Sequence, residues 1–157
     1  MTRLRGPCRK GRRLTGSAPF GRWQTQTFIA GLTCEALVAP WVIAGAMDRT
    51  AFDTYIETQL ALALQPQTGV ILDNLATAKS PRAIAALKER QCWMLFLPAC
   101  SPDLNPIEMA FCKLKSHLRR IGARTFNQLI NAIDDICSPY TPEKCWNCFR
   151  AANQMPE

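Results

Sequence analysis

The sequence predicts an α/β fold whose sheet contains parallel strands. Two short and almost wholly apolar runs, TGVILDN (68–74) and CWMLFL (92–97), read as buried strands of the kind parallel sheets use. Segments of helical period separate and follow them. The order is strand, strand, helix, strand, helix, strand, helix, then two more helices, and such alternation builds α/β sheets.

Each element has a local reason. WQTQTFIAGL, from Trp23 to Leu32, has the thin alternation of a strand, and Leu37 to Ala44 gives a second. Glu35 and Pro40 interrupt the apolar stretch from Phe28 to Met47, so it reads as two strands and not as a membrane span. From Asp48 to Leu64 the period changes. Phe52, Ile56, Leu60 and Ala63 share one helical face, with Leu64 beside them. Ser80 and Pro81 are a cap and a first-turn proline, opening a helix to about Arg90. After Asn105, the residues Ile107, Ala110, Phe111, Leu114, Leu118 and Ile121 form one stripe, and Gly122 suits the helix end. Thr125 and Gln128 make a capping box for a helix to about Cys137. Thr141-Pro142 opens a last helix through Trp146 and Phe149.

At 157 residues the chain is long enough for one domain with a real core. Charged residues are 20% and apolar ones 48%, which excludes a disordered chain. The net charge of +7 has a definite place. Arg3, Arg5, Arg9, Lys10, Arg12, Arg13 and Arg22 all precede the first acidic residue, Glu35, and the rest of the chain is balanced. Residues 1–22 are therefore a basic arm, either a solvated tail or a segment that contacts phosphates.

The eight cysteines do not suggest a disulfide framework, because the basic N-terminus lacks the apolar stretch of a signal peptide. Cys145 and Cys148 form one C-x-x-C without a second pair, so they read as small apolar residues one helical turn apart, not as a zinc site. His117 is the one histidine, which disfavours histidine metal sites and Ser-His-Asp triads.

Two carboxylates stand out. Asp73 closes an apolar strand, and ligand sites in open α/β sheets gather at strand carboxyl ends. An Asp there is also a common turn residue. Glu108 lies three residues after Asn105, where it would complete a capping box with Asn105 as cap and Pro106 at the first helical position. Thirty-four residues lie between Asp73 and Glu108, covering one helix and one strand, and that path returns the chain to the same sheet edge. Converging carboxylates repel unless a cation sits between them, which is what a magnesium site needs. Lys115 and Arg119 follow Glu108 on its own helical face. Lys113, Arg120 and Arg124 form a neighbouring stripe with His117, either a solvated face or a phosphate track.

LPACSPDLNPIEMAFCKLK, with ILDNLATAKS upstream, closely resembles the DDE transposases of the mariner-like superfamily, in the bacterial insertion sequence 630 branch. The resemblance runs from TRLRG at the start to YTPEKCWNCFRAA near the end. It implies a ribonuclease-H-like mixed sheet with flanking helices and extra C-terminal helices. It also implies that Asp73 is the second catalytic aspartate and Glu108 the catalytic glutamate, both ligands of Mg2+ or Mn2+. The implied partners are DNA (transposon ends and target) and a second transposase chain or a homo-oligomer, in the bacterial cytoplasm and on the nucleoid when DNA is bound. Arg3, Arg5, Arg12, Arg13, Lys113, Lys115, Arg119 and Arg120 are the expected DNA contacts.

The sequence also departs from the family. The family's first aspartate sits on a central strand just before the TRLRG-like segment, so that strand is expected to be missing and the metal site incomplete. Asp48 and Asp53 are poor replacements for it. Ala78 stands where the family often has His, and Cys100 and Cys148 where it has Tyr. The expected organisation is a basic arm (1–22), an incomplete endonuclease core (23–124) and a helical extension (125–157). The expected function is a fragment of a transposase catalytic domain, inactive alone. The alternatives are a free-standing ribonuclease-H-like nuclease and a basic protein that binds DNA or a transposase without cutting.

Overall fold

A computed structural model describes residues 10, 11, 13, 25–122, 126–137 and 140–154. Strands β1 (Gln26–Leu32) and β2 (Leu37–Ala44) form an antiparallel hairpin. Thr33 shapes its turn: the hydroxyl donates to the Ala36 carbonyl at 3.0 Å and accepts from the Glu35 and Ala36 N–H groups. The ladder slips between Ile29 and Gly31, where Ala39 and Pro40 oppose Ala30. Ala39 has φ +48°, the left-handed residue of a bulge, and Pro40 is exposed beside it. Gly31 lets β1 approach the next helix closely, because a Cβ there would meet Leu60 Cδ1 at 3.0 Å and Val38 Cγ2 at 3.1 Å. Trp23 and Gln24, expected in this strand, lie outside the described residues.

The Asp48 carboxylate caps α1 (Arg49–Tyr55), accepting from the Ala51 N–H at 2.7 Å. The helix continues through a π turn (Ile56–Leu60) into α2 (Ala61–Ala63). The π turn rotates the buried face relative to a 3.6-residue period. Ala61 is therefore buried and Ala63 exposed, where the sequence pattern placed Ala63 on the buried face.

Strands β3 (Gly69–Leu72) and β4 (Trp93–Phe96) are parallel, joined through α3 (Pro81–Glu89). Ser80 has the extended backbone of a cap, and its carbonyl takes the Ile84 N–H, but its side chain makes no capping bond. The expectation of a fully buried β4 fails for one face. Met94 and Phe96 pack on the core, while Trp93 and Leu95 are 54% and 48% exposed. The Trp93 indole lies over Gly69, where any Cβ would collide with it.

The strands do not form one sheet among the described residues. They form two two-stranded sheets, β1–β2 and β3–β4. The sequence reading expected a mixed sheet without its central strand, and no described strand pairs with both β1 and β3. A cavity of about 680 Å³ is lined by both strands, with Phe52, Ile56 and Phe111 among its other walls.

One core cluster unites the two ladders. Phe52, Tyr55, Ile56, Leu60 and Ala61 from the helix bury against Val70, Ala83, Leu87 and Cys92, with Ile29, Val38 and Trp41 of the hairpin packed alongside. A smaller cluster joins α4 (Ile107–Ile121) to α6 (Pro142–Ala151) through Ala110, Tyr140, Cys145 and Cys148. Gly122 ends α4 in the left-handed conformation (φ +64°), as its sequence position predicts. Ile121, expected in the buried stripe, is 47% exposed. Helix α5 (Phe126–Cys137) buries Ala132 and Ile133, while Thr125, its expected cap, lies outside the described residues. Among the described residues no helix is long and apolar enough to cross a membrane.

Tyr55 supplies a test of this core. It is 2% exposed and stacks on Trp41, with ring centroids 6.1 Å apart. Its hydroxyl finds no hydrogen-bond partner among the described residues, and burial pushes its pKa well up. The unfolded chain ionises this phenol first, near pH 10. The stabilising effect of the raised pKa is thus complete below that pH and is lost as pH rises above it. Tyr55→Phe is expected to be neutral, or to stabilise by about 1 kcal/mol, at pH 7. It should also lose less stability than the parent between about pH 9 and 11. Urea unfolding across that range is the check.

Candidate active site

β3 ends at Leu72, and the chain turns at once at Asp73, whose carbonyl accepts from the Leu75 N–H at 2.8 Å. The Leu97 N–H donates to the Leu72 carbonyl at 2.8 Å, so the parallel ladder runs right up to Asp73. Asp73 thus stands at the carboxyl end of its strand, half-buried. From β4 the chain passes through a 3-10 turn (Pro102–Leu104) to Asn105 and α4.

Asn105 is where these segments meet. It is 8% exposed. Its side-chain amide Nδ2 donates to Asp73 Oδ1 at 2.9 Å. Its main-chain N–H donates to the Pro102 carbonyl at 3.1 Å, and its carbonyl accepts from the Glu108 N–H at 3.1 Å. Asp73 is therefore attached to the first turn of the helix that carries Glu108.

The capping box expected from the sequence does not form. The Asn105 N–H that Glu108 would have to reach is already taken by Pro102, and Pro106 occupies the cap position. Asn105 Oδ1 has only a long contact, 3.4 Å, with the Ile107 N–H. The half-buried Glu108 carboxylate makes no hydrogen bond or ion pair among the described residues. The sequence reading gave Asn105 a capping task, which the Ile107 N–H contact keeps in part, and missed its bond to Asp73.

The other acids are used differently. Asp48 caps α1, and Asp53 is buried on α1 with Oδ1 unpaired among the described residues. Its neighbourhood holds the Arg82–Glu57 pair at 2.7 Å, which together with Asp53 pushes the Arg82 pKa up. Among the described residues no group of three or more His, Cys, Asp or Glu is arranged to hold a metal ion.

The basic residues of α4 are exposed and partly engaged. Lys113 lies over the Tyr140 ring, 5.9 Å from its centroid. Arg119 Nε donates back to the Lys115 carbonyl at 2.9 Å, and Arg120 meets His117 Nδ1 at 3.0 Å. Lys115 is exposed on the same helix, and Arg13 is exposed in the arm. Arg3, Arg5, Arg12 and Arg124 lie outside the described residues. Cys145 and Cys148 are 0% and 1% exposed, and burial pushes both thiols up, which keeps them protonated and inert near neutrality.

Residues 1–130 match the family described as DDE superfamily endonuclease. The chain belongs to that family. The structure of this chain is similar to the crystal structure of the Mos1 strand transfer complex, with a TM-score of 0.73 at 15% identity. The match covers 99% of this chain and 47% of that one, so this chain spans about half the length of its structural relative. At that identity the likeness shows the fold, which is ribonuclease-H-like mixed α/β. Comparison with curated proteins finds no match.

A capping glutamate and a functional one predict different stabilities. Glu108→Ala is expected to change stability by less than about 0.5 kcal/mol, as for a side chain without partners. A loss of about 1 kcal/mol or more, the usual cost of removing a cap, would return Glu108 to a structural role. Thermal or urea unfolding measures the difference.

Proposed function

We propose that the chain carries part of the catalytic centre of a transposase that cuts and joins DNA with divalent metal ions, with Asp73 and Glu108 as metal ligands. The observation that carries this reading is the attachment of Asp73, through Asn105, to the first turn of the helix bearing Glu108 in a DDE superfamily endonuclease. The side chains fit the group: both are hard oxygen donors suited to Mg2+ or Mn2+, and Glu108 has no competing partner among the described residues. A bound divalent ion would lower the pKa of a water or 3′-hydroxyl and neutralise charge on the leaving oxygen.

The chain's own residues then have clear tasks. Asp73 and Glu108 would supply the negative charge that holds the metal ions. Lys115, Arg119 and Arg120 lie further along α4 and would hold phosphates there, which positions DNA without reading its sequence. Lys113, already over Tyr140, would add charge to the same helix. The arm, with Arg3, Arg5, Arg12 and Arg13, would add contacts whose strength depends on counterion release. The likeness to the Mos1 strand transfer complex supports DNA as the partner. The segment LPACSPDLNPIE supports placement in the insertion sequence 630 branch, with a second transposase chain as the natural partner in assembly.

Three experiments test this. Mn2+ titration followed by water-proton relaxation is expected to show weak binding that disappears in Asp73→Asn and in Glu108→Gln. With two protein ligands in place of three, the chain alone is expected to give no measurable strand cleavage with Mg2+ or Mn2+. Cutting that vanishes in Asp73→Ala would favour a free-standing nuclease instead. DNA retention is expected to be independent of sequence and to fall steeply with salt, with a smaller salt slope in Lys115→Glu/Arg119→Glu. An unchanged slope would remove α4 from the DNA-binding surface.

A further inference from the structure

We propose that Asn105 is a positioning residue for the candidate metal site, orienting the Asp73 carboxylate and fixing it relative to Glu108. The inference rests on the reading of Asp73 and Glu108 as ligands. It adds a residue that neither charge nor metal chemistry would single out.

The geometry gives one residue two connections. The Asn105 side chain reaches Asp73 Oδ1 at 2.9 Å, and its carbonyl receives the Glu108 N–H at 3.1 Å. A shift of the Asp73 carboxylate or of the Glu108 backbone is therefore felt by the other through one rigid amide and one peptide unit. Asn105 is itself held. Its N–H is bound to Pro102, its fold position is buried, and Pro106 fixes the backbone that follows. The amide's orientation follows from chemistry: a carboxylate only accepts, so the NH2 end must face Asp73.

The choice of asparagine also has an electrostatic logic. Lysine or arginine here would orient Asp73 equally well but would cancel the charge that a cation needs. Aspartate would repel Asp73. A neutral donor fixes the carboxylate and leaves its full charge available. Partners of this kind, which touch a ligand and not the ion, typically change metal affinity by about 10–100-fold when removed.

The test separates positioning from mere support of the helix. Mn2+ affinity of the full chain is measured by water-proton relaxation, and thermal stability by circular dichroism, for Asn105→Ala and Asn105→Ser. Serine can still accept from the first-turn N–H groups of α4 but is too short to reach Asp73. The expected result is a loss of Mn2+ affinity of about tenfold in both variants, with stability recovered in Asn105→Ser relative to Asn105→Ala. If Asn105→Ser restores affinity together with stability, Asn105 only supports the helix and the proposal is overturned. It is equally overturned if both variants bind Mn2+ like the parent while Asp73→Asn does not bind. If Asp73→Asn itself binds Mn2+ normally, the ligand assignment fails and takes this proposal with it. The Asp73→Asn control thus tells the two failures apart.

Discussion

The ladders β1–β2 and β3–β4 share no hydrogen-bonded strand among the described residues, so their relative position is set by packing on the helix from Arg49 to Ala63. Phe52, Tyr55, Ile56 and Leu60 lie between Ile29, Val38 and Trp41 on one side and Val70 and Leu87 on the other. Each such buried side chain contributes about 1.5–3 kcal/mol. Hydrophobic packing is strong but lacks direction, whereas a shared ladder would fix register to a fraction of an ångström. The π turn between Ile56 and Leu60 matters for this reason. It places Leu60 where Gly31 leaves room for it, and Ala61 on the buried side, so one helix meets both ladders at close range.

The candidate site inherits its order from this arrangement. Asp73 is positioned by the parallel ladder, which is directional, since the Leu97–Leu72 bond extends it to the residue before the carboxylate. Glu108 is positioned by α4, which packs elsewhere: Phe111 meets Phe28 of β1 edge-on at 5.8 Å, and Ala110 joins Tyr140 and Cys145. One carboxylate therefore belongs to the β3–β4 unit and the other to a helix seated on the hairpin side. Asn105 is the hydrogen-bonded link between the two parts. A weak link would let the carboxylates drift apart, and in the proposed site little drift is tolerable, because the cost of bringing like charges together must be met by a well-placed cation.

Most of this fold could be read from local pattern. The two N-terminal strands, the parallel strands, the helix end at Gly122 and the carboxylates at strand and helix ends all follow from rules that act over a few residues. What escaped was non-local. Ala63 gave way to Ala61 because a π turn has no signature in a period-3.6 count. Trp93 and Leu95 are apolar yet exposed, because burial of a strand depends on whether a layer covers its second face, which the strand itself does not encode. Asn105 looked like a cap because caps are local. Its actual partner, Asp73, lies 32 residues away in sequence.

The basic side chains of α4 show how far geometry narrows a charge pattern. As a sequence, Lys113 to Arg120 is a cluster of like charges whose self-repulsion invites an anionic partner. In the fold the cluster is partly dispersed: Lys113 leans on Tyr140, Arg119 turns back onto its own helix, and Arg120 meets His117 Nδ1. None of these contacts neutralises a charge, because each partner is an aromatic ring, a carbonyl or an imidazole. The cations are oriented without being compensated. A helix with its carboxylate at the N-terminal turn and its cations toward the C-terminal end also follows the dipole preference, so this order stabilises α4 whether or not DNA is bound. The arrangement separates the two charges that the proposed chemistry must keep apart, a negative centre for metal ions and a positive face for phosphates, along a single fifteen-residue helix.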